Sequence, residues 1–206
     1  MLGVFVYAFA LGLAFCAPPG TLTAEALRRG LARGFRSALL VEFGSLFGDA
    51  TWAAIALAGA AFLIQNTVAR VLLGALGTFF LFQLSYHSIR DAVEGTMPKA
   101  APAGARGDLV TGALLSLTNP LTIGFWVGVG GGAVTTIVPR PTPSDFAVFY
   151  LGFMLACVFW CFFFSALIVV GRQLLRPSFF RAINAVCGVA LAYFAVMLLV
   201  GIFRVA

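Results

Sequence analysis

The sequence predicts an all-α integral membrane protein with six transmembrane helices, arranged as two inverted three-helix repeats. Three observations carry this. The chain has 206 residues, of which 62% are hydrophobic and 10% charged, against about 45–50% and about 25% in soluble domains. Its charges divide it into six apolar runs, each near the roughly 20 residues that span a bilayer. Two of those runs, three segments apart, are broken by proline in matching places. A mean hydropathy of +1.05 leaves too little polar surface to coat a water-soluble globule. A soluble enzyme, a nucleic-acid-binding domain and a disordered chain are therefore all excluded.

The six segments lie near 2–17, 36–63, 67–89, 109–137, 145–171 and 180–203. The first begins at Met1 with no basic residue ahead of its apolar run, so it reads as a retained span and not as a cleaved signal. For the second, the run Phe43–Ala69 is interrupted only by Asp49, and for the third, Val71–Ile89 is uncharged apart from the neutral His87. The fourth, fifth and sixth have no charged residue within Leu109–Pro139, Phe146–Gly171 and Ala182–Phe203. Backbone amides inside lipid must be satisfied locally, so each run should be helical.

Orientation follows from the basic residues. Arg28, Arg29, Arg33 and Arg36 lie between segments one and two. Arg90, Lys99 and Arg106 lie between three and four, and Arg172, Arg176 and Arg181 between five and six. Only Arg70, Arg140 and Arg204 fall on the other side. Ten against three puts both termini outside and these loops in the cytoplasm. The net charge of +6 thus reports topology and gives no reason to expect nucleic acid. One transport domain, 1–206, is expected, with halves 1–90 and 109–206 joined by a cytoplasmic linker, 91–108. An odd number of spans per half makes the halves inverted if they are related.

The first segment runs into Ala17-Pro18-Pro19-Gly20-Thr21, and the fourth contains Leu117-Thr118-Asn119-Pro120-Leu121-Thr122. Proline donates no backbone hydrogen bond and clashes with the preceding turn. Helix-competent sequence continues past both breaks. Such breaks free carbonyls and expose helix N-termini, which suit a zwitterion or anion. Paired interruptions of this kind point to a transporter site. Taken singly, each is also readable as a tolerated kink.

These motifs, in order, resemble the LysE/RhtB family of amino-acid exporters: the proline-glycine break, Leu27-Arg28-Arg29-Gly30, Gly44-Ser45-Leu46-Phe47-Gly48-Asp49 and Leu117-Thr118-Asn119-Pro120. The resemblance covers the whole chain. It implies secondary export of an amino acid or related metabolite across a bacterial inner (plasma) membrane, coupled to protons. The chain departs from the family pattern at Ala17-Pro18-Pro19-Gly20-Thr21, where Ser-Pro-Gly-Pro is usual, and at Leu121, where a lysine is usual.

Charge inside a span costs roughly 2.5–3.5 kcal/mol on insertion scales and marks functional candidates. Asp49 lies about 13 residues into its segment, roughly 20 Å at 1.5 Å per residue. Glu42 is seven positions earlier, almost two turns, so both carboxyls share a face with Ser45 between them. Burial favours the neutral form of a carboxyl without a partner, which suits such a face to carrying protons or holding an ammonium. Asp49 is the first candidate for proton coupling, Glu42 the second and Glu25 the third. Glu42 is also readable as a partner of Arg36, and Glu25 as a surface ion pair with Arg28 and Arg29. Substrate is expected between Pro18, Pro19, Gly20, Thr21, Ser45, Asn119, Pro120 and Thr122, with one half moving against the other.

The remaining features are weaker. Cys157 and Cys161 share a face, and Cys16 adjoins the first break; thiols bind soft metals but also pack as small apolar groups. No metal site is assigned and no cofactor is implied. Gly44/Gly48 and Gly128/Gly132 have spacing that lets helices approach, either inside the bundle or at a homodimer seam. No glycine-rich phosphate loop with lysine is present. Two rival readings remain: a metal or inorganic ion exporter, and a non-transporting membrane assembly subunit. An intramembrane enzyme is not expected.

Overall fold

The computed structural model describes residues 1–63, 67–96, 107–138, 140–171 and 176–203. Most of the linker, with Lys99 and Arg106, lies outside them, as do Arg172 and Arg204. Eight helices are described: α1 (Leu2–Cys16), α2 (Thr21–Arg33), α3 (Phe35–Leu63), α4 (Thr67–Glu94), α5 (Asp108–Leu117), α6 (Pro120–Ile137), α7 (Pro143–Val170) and α8 (Pro177–Phe203). Five are long and apolar enough to cross a membrane, and six spans result if α1 and α2 count as one broken span. The chain is an all-α multipass membrane protein.

Both proline breaks interrupt helices. α1 stops at Cys16, and α2 leaves at 70° to it. Pro18 and Pro19 have no N–H to offer the carbonyls of Ala14 and Phe15. α5 ends at Leu117, and α6 restarts with Pro120 at its first position, where the missing N–H costs nothing. Asn119 caps α6 by accepting the Leu121 N–H at 3.0 Å, as short polar side chains do at helix starts. Elsewhere the segments sit where the apolar runs put them. The difference is α2, which makes a helix of what reads in sequence as a basic loop. Leu22, Ala26 and Leu27 meet α3 and α7 through Ala38, Val41, Phe164 and Ile168, so the stretch is amphipathic and its arginines occupy the other side.

The surface is apolar where lipid would lie: Leu2, Val6, Phe79, Leu151, Val189 and Val196 are among the exposed side chains. The interior combines a large cluster around Phe125, Trp126, Phe149 and Phe153 with buried polar groups, Glu42, Ser45, Asp49, Ser116 and Asn184 among them.

The helices interlock across the two halves: α1 packs on α7, and α5 packs on α3. Glycine makes both crossings close. A Cβ on Gly12 would stand 2.9 Å from that of Ala156, and one on Gly152 would stand 2.8 Å from the Phe5 carbonyl oxygen. A Cβ on Gly112 would run into the Val41 carbonyl oxygen, and one on Gly44 into that of Leu109. Gly128 likewise lies against the Gly77 backbone on α4. Both small-residue pairs seen in the sequence, Gly44/Gly48 and Gly128/Gly132, pack within the chain.

Candidate functional site

A cavity of about 310 Å³ opens between the two breaks and α3. The first break contributes Pro18, Gly20 and Thr21, and the second Asn119, Pro120 and Thr122. α3 adds Glu42, Ser45 and Asp49, all at most 6% exposed. The predicted acidic face and both predicted breaks thus meet around one space. Pro19 stands apart from this cavity and lines a second one described below.

Within the site, Ser116 at the end of α5 donates to the Asp49 carboxylate at 3.3 Å. Among the described residues the Glu42 side chain has neither a hydrogen bond nor an ion pair, and Arg36 makes no salt bridge with it. Ser45 turns its hydroxyl to the Glu42 backbone carbonyl, 2.7 Å away. Trp52, one turn beyond Asp49, donates its indole N–H to the Leu117 carbonyl at 3.1 Å. That bond ties the broken end of α5 to α3, while Asn119 N–H takes the Ser116 carbonyl at 3.2 Å. The arrangement offers buried carboxyls for a cation or proton, and the start of α6 for an anionic group.

Glu25 lies elsewhere. It is 1% exposed and accepts from Arg28 at 2.6 Å and Arg29 at 2.5 Å. Arg29 continues to Asp108 at 2.6 Å, and Asp108 also receives Arg33 and the Ser37 hydroxyl. This latch pins α2 and the start of α3 to the start of α5. Burial would raise the Asp108 carboxyl, but hydrogen bonds from Arg29 and Ser37 and the charge of Arg33 outweigh it and hold it below the usual range.

The thiols set aside in sequence do reach the cavity. Cys16, Cys157 and Cys161 line it with Trp160, and the Cys16 and Cys157 sulfurs are 3.3 Å apart. Among the described residues no group of three or more His, Cys, Asp or Glu side chains could hold a metal ion. Ser116 was not picked out from sequence. Ser116 had a readable signal, as a hydroxyl on the turn before Asn119-Pro120. The Arg29–Asp108 pair spans 79 positions and had none.

LysE type translocators, as a family, match residues 13–201 of this chain. The chain belongs to that family. Among LysE relatives, the chemotactic transduction protein ChpE of Pseudomonas aeruginosa is 37% identical over 98% of this chain and 100% of its own. The putative amino acid efflux protein YcgF of Bacillus subtilis is 24% identical over 94% of this chain and 93% of its own. The leucine efflux protein of Salmonella typhimurium is 30% identical over 74% of this chain and 72% of its own. No solved structure gives a significant match. Membership of the LysE family makes the chain a multipass protein of a bacterial transporter family, not an enzyme.

Proposed function

We propose that this LysE family member exports an amino acid or a related small metabolite from the cytoplasm, by proton antiport with alternating access around the two breaks. The carrying observation is the cavity in which both broken helices and the two buried acids of α3 meet. Its volume suits a small solute, and the efflux activity named for two relatives agrees with it. Asp49 takes up and releases the proton, and Glu42 relays it or meets the substrate ammonium. Pro18, Gly20, Thr21, Ser45, Asn119, Pro120 and Thr122 surround the substrate, with the start of α6 toward its carboxylate. Glu25 belongs to the latch that holds α2 in place. The protein sits in the inner membrane with both termini outside.

The test is leucine flux in proteoliposomes under an imposed pH gradient. Wild-type protein should show flux that collapses with the gradient, and Asp49→Asn should fall to the level of empty vesicles while inserting normally. Gradient-driven flux in Asp49→Asn within twofold of wild type would overturn the proton assignment. The ChpE relative, named for chemotactic transduction, supports a second reading, a signalling membrane component. That reading expects no flux from any solute and no phenotype from neutralising Asp49. A metal cargo, the other reading open from sequence, has no such support, because no group of three or more ligating side chains among the described residues could hold the ion.

A further inference from the structure

A second cavity, of about 320 Å³, lies on the far side of the breaks. Phe15, Pro18, Gly20, Asn119 and Thr122 line both cavities, so the two breaks form the partition between them. The second cavity also takes side chains from α4 and α8: Leu84, His87, Ser88, Asp91, Asn184 and Leu191. None of these is needed by the site around Asp49.

One of them is a buried acceptor without a partner, and another is a carboxylate without a salt bridge. Asn184 is 1% exposed, and its amide oxygen has no hydrogen-bond partner among the described residues. Buried polar atoms are nearly always paired, and an exception on a side chain that lines a cavity leaves an acceptor for a donor from outside the chain. Asp91, on α4, forms no salt bridge among the described residues. Its neighbouring cations are engaged elsewhere: Arg90 with Glu94 at 2.7 Å and Arg181 with the Ala92 carbonyl at 2.8 Å. An anionic carboxylate and a buried amide oxygen in one cavity can accept from two of the three donors of an ammonium group. Leu84, Leu191 and Phe15 supply apolar wall beside them.

We infer that this cavity is a second binding site, which takes a small ligand bearing an ammonium group and a short hydrocarbon chain. In the export reading it is an earlier or later station of the same solute, separated from the Asp49 site by the breaks. The choice of ligand rests on that reading, whereas the site rests on Asp91 and Asn184 themselves.

Isoamylamine keeps the ammonium and side chain of leucine without its carboxylate, and 4-methylpentanoate keeps the carboxylate without the ammonium. Calorimetric titration of the purified full-length protein at pH 7 should show isoamylamine binding, weakened at least tenfold by Asp91→Asn and by Asn184→Leu. 4-Methylpentanoate should not compete for it. Asp91→Asn is nearly isosteric, so the result does not depend on the bulkier variant folding. No isoamylamine binding by wild-type protein overturns the site, as does binding unaffected by Asp91→Asn. Loss in Asp49→Asn alone places the amine in the first cavity and also overturns it. Amine binding at Asp91 without leucine flux in vesicles overturns the leucine export reading and leaves the second site standing.

Discussion

At the scale of residues, the chemistry concentrates on one face of α3, and its polar groups are not equivalent. Asp49 accepts from Ser116 on α5, while the Ser45 hydroxyl is turned to its own helix backbone. A hydroxyl that steadies an ionised carboxylate changes its proton affinity when removed, whereas one whose proton is spent on a helix carbonyl lines the site without donating to the solute. Ser116→Ala should therefore shift the pH at which flux is half-maximal and lower flux several-fold. Ser45→Ala should stay within about twofold of wild type, measured in the same proteoliposomes. Equal effects of the two substitutions would contradict this division of roles. The spacing of Glu42, Ser45 and Asp49 was legible from 3.6-residue periodicity, and so was the cost of two acids in an apolar run. The direction of the Ser45 hydroxyl was not, because a serine in a helix chooses between solvent, neighbour and its own carbonyls. Ser116 was readable as a hydroxyl just before the second break, but its pairing with Asp49 could be recognised only once α5 was seen to lie on α3.

At the scale of elements, α2 is the piece the sequence concealed. Three arginines and a glutamate in a short polar stretch read as a loop, and only the 70° turn after Pro19 brings its apolar side onto α3 and α7. Its polar side then closes the Glu25–Arg29–Asp108 chain, of which the Glu25–Arg29 pair was readable from its spacing of four and the Arg29–Asp108 pair, 79 positions apart, was not. Because Asp108 is held below the usual carboxyl range in the folded protein, its contribution is present above the unfolded value of about 3.9. It is lost as pH falls through the lowered folded value. Thermal unfolding in detergent should thus show wild-type protein losing its margin over Asp108→Asn as pH drops from 7 toward 3; a margin that widens on acidification would refute the latch. The helix crossings make a second element-scale case. A side chain on Gly112 meets backbone of α3 that cannot rotate away, while one on Gly59, also in a helix, meets nothing within 4 Å. Overpacking costs about 1–3 kcal/mol, and alanine is favoured over glycine in a helix by roughly 1 kcal/mol. Gly112→Ala should lower the unfolding temperature by several degrees, and Gly59→Ala should leave it unchanged or raise it.

At the scale of the whole molecule, chain halves and packing units differ. Counting spans divides the sequence at the linker, but α1 of the first half is seated on α7 of the second, and α5 is seated on α3. The two crossings also repeat in detail. Gly12 precedes Cys16 by four residues as Gly112 precedes Ser116, and Gly152 precedes Cys157 by five as Gly44 precedes Asp49. The Cys16–Cys157 and Ser116–Asp49 contacts, each 3.3 Å, thus occupy corresponding places, which supports an inverted repeat. Backbones in such close contact slide poorly, because packed interfaces switch between discrete arrangements and do not deform smoothly. Alternating access should then move the α1/α7 pair against the α3/α5 pair as units, with the cavity between them. Cys16 and Cys157 lie within one unit and allow a direct trial without added residues. Mild oxidation that joins them should leave gradient-driven flux above half of its reduced value, with Cys16→Ser as the uncrosslinked control. Flux abolished by oxidation, restored by dithiothreitol and insensitive in Cys16→Ser would mean that the α1/α7 seam itself opens in each cycle, and that the chain halves are the moving bodies.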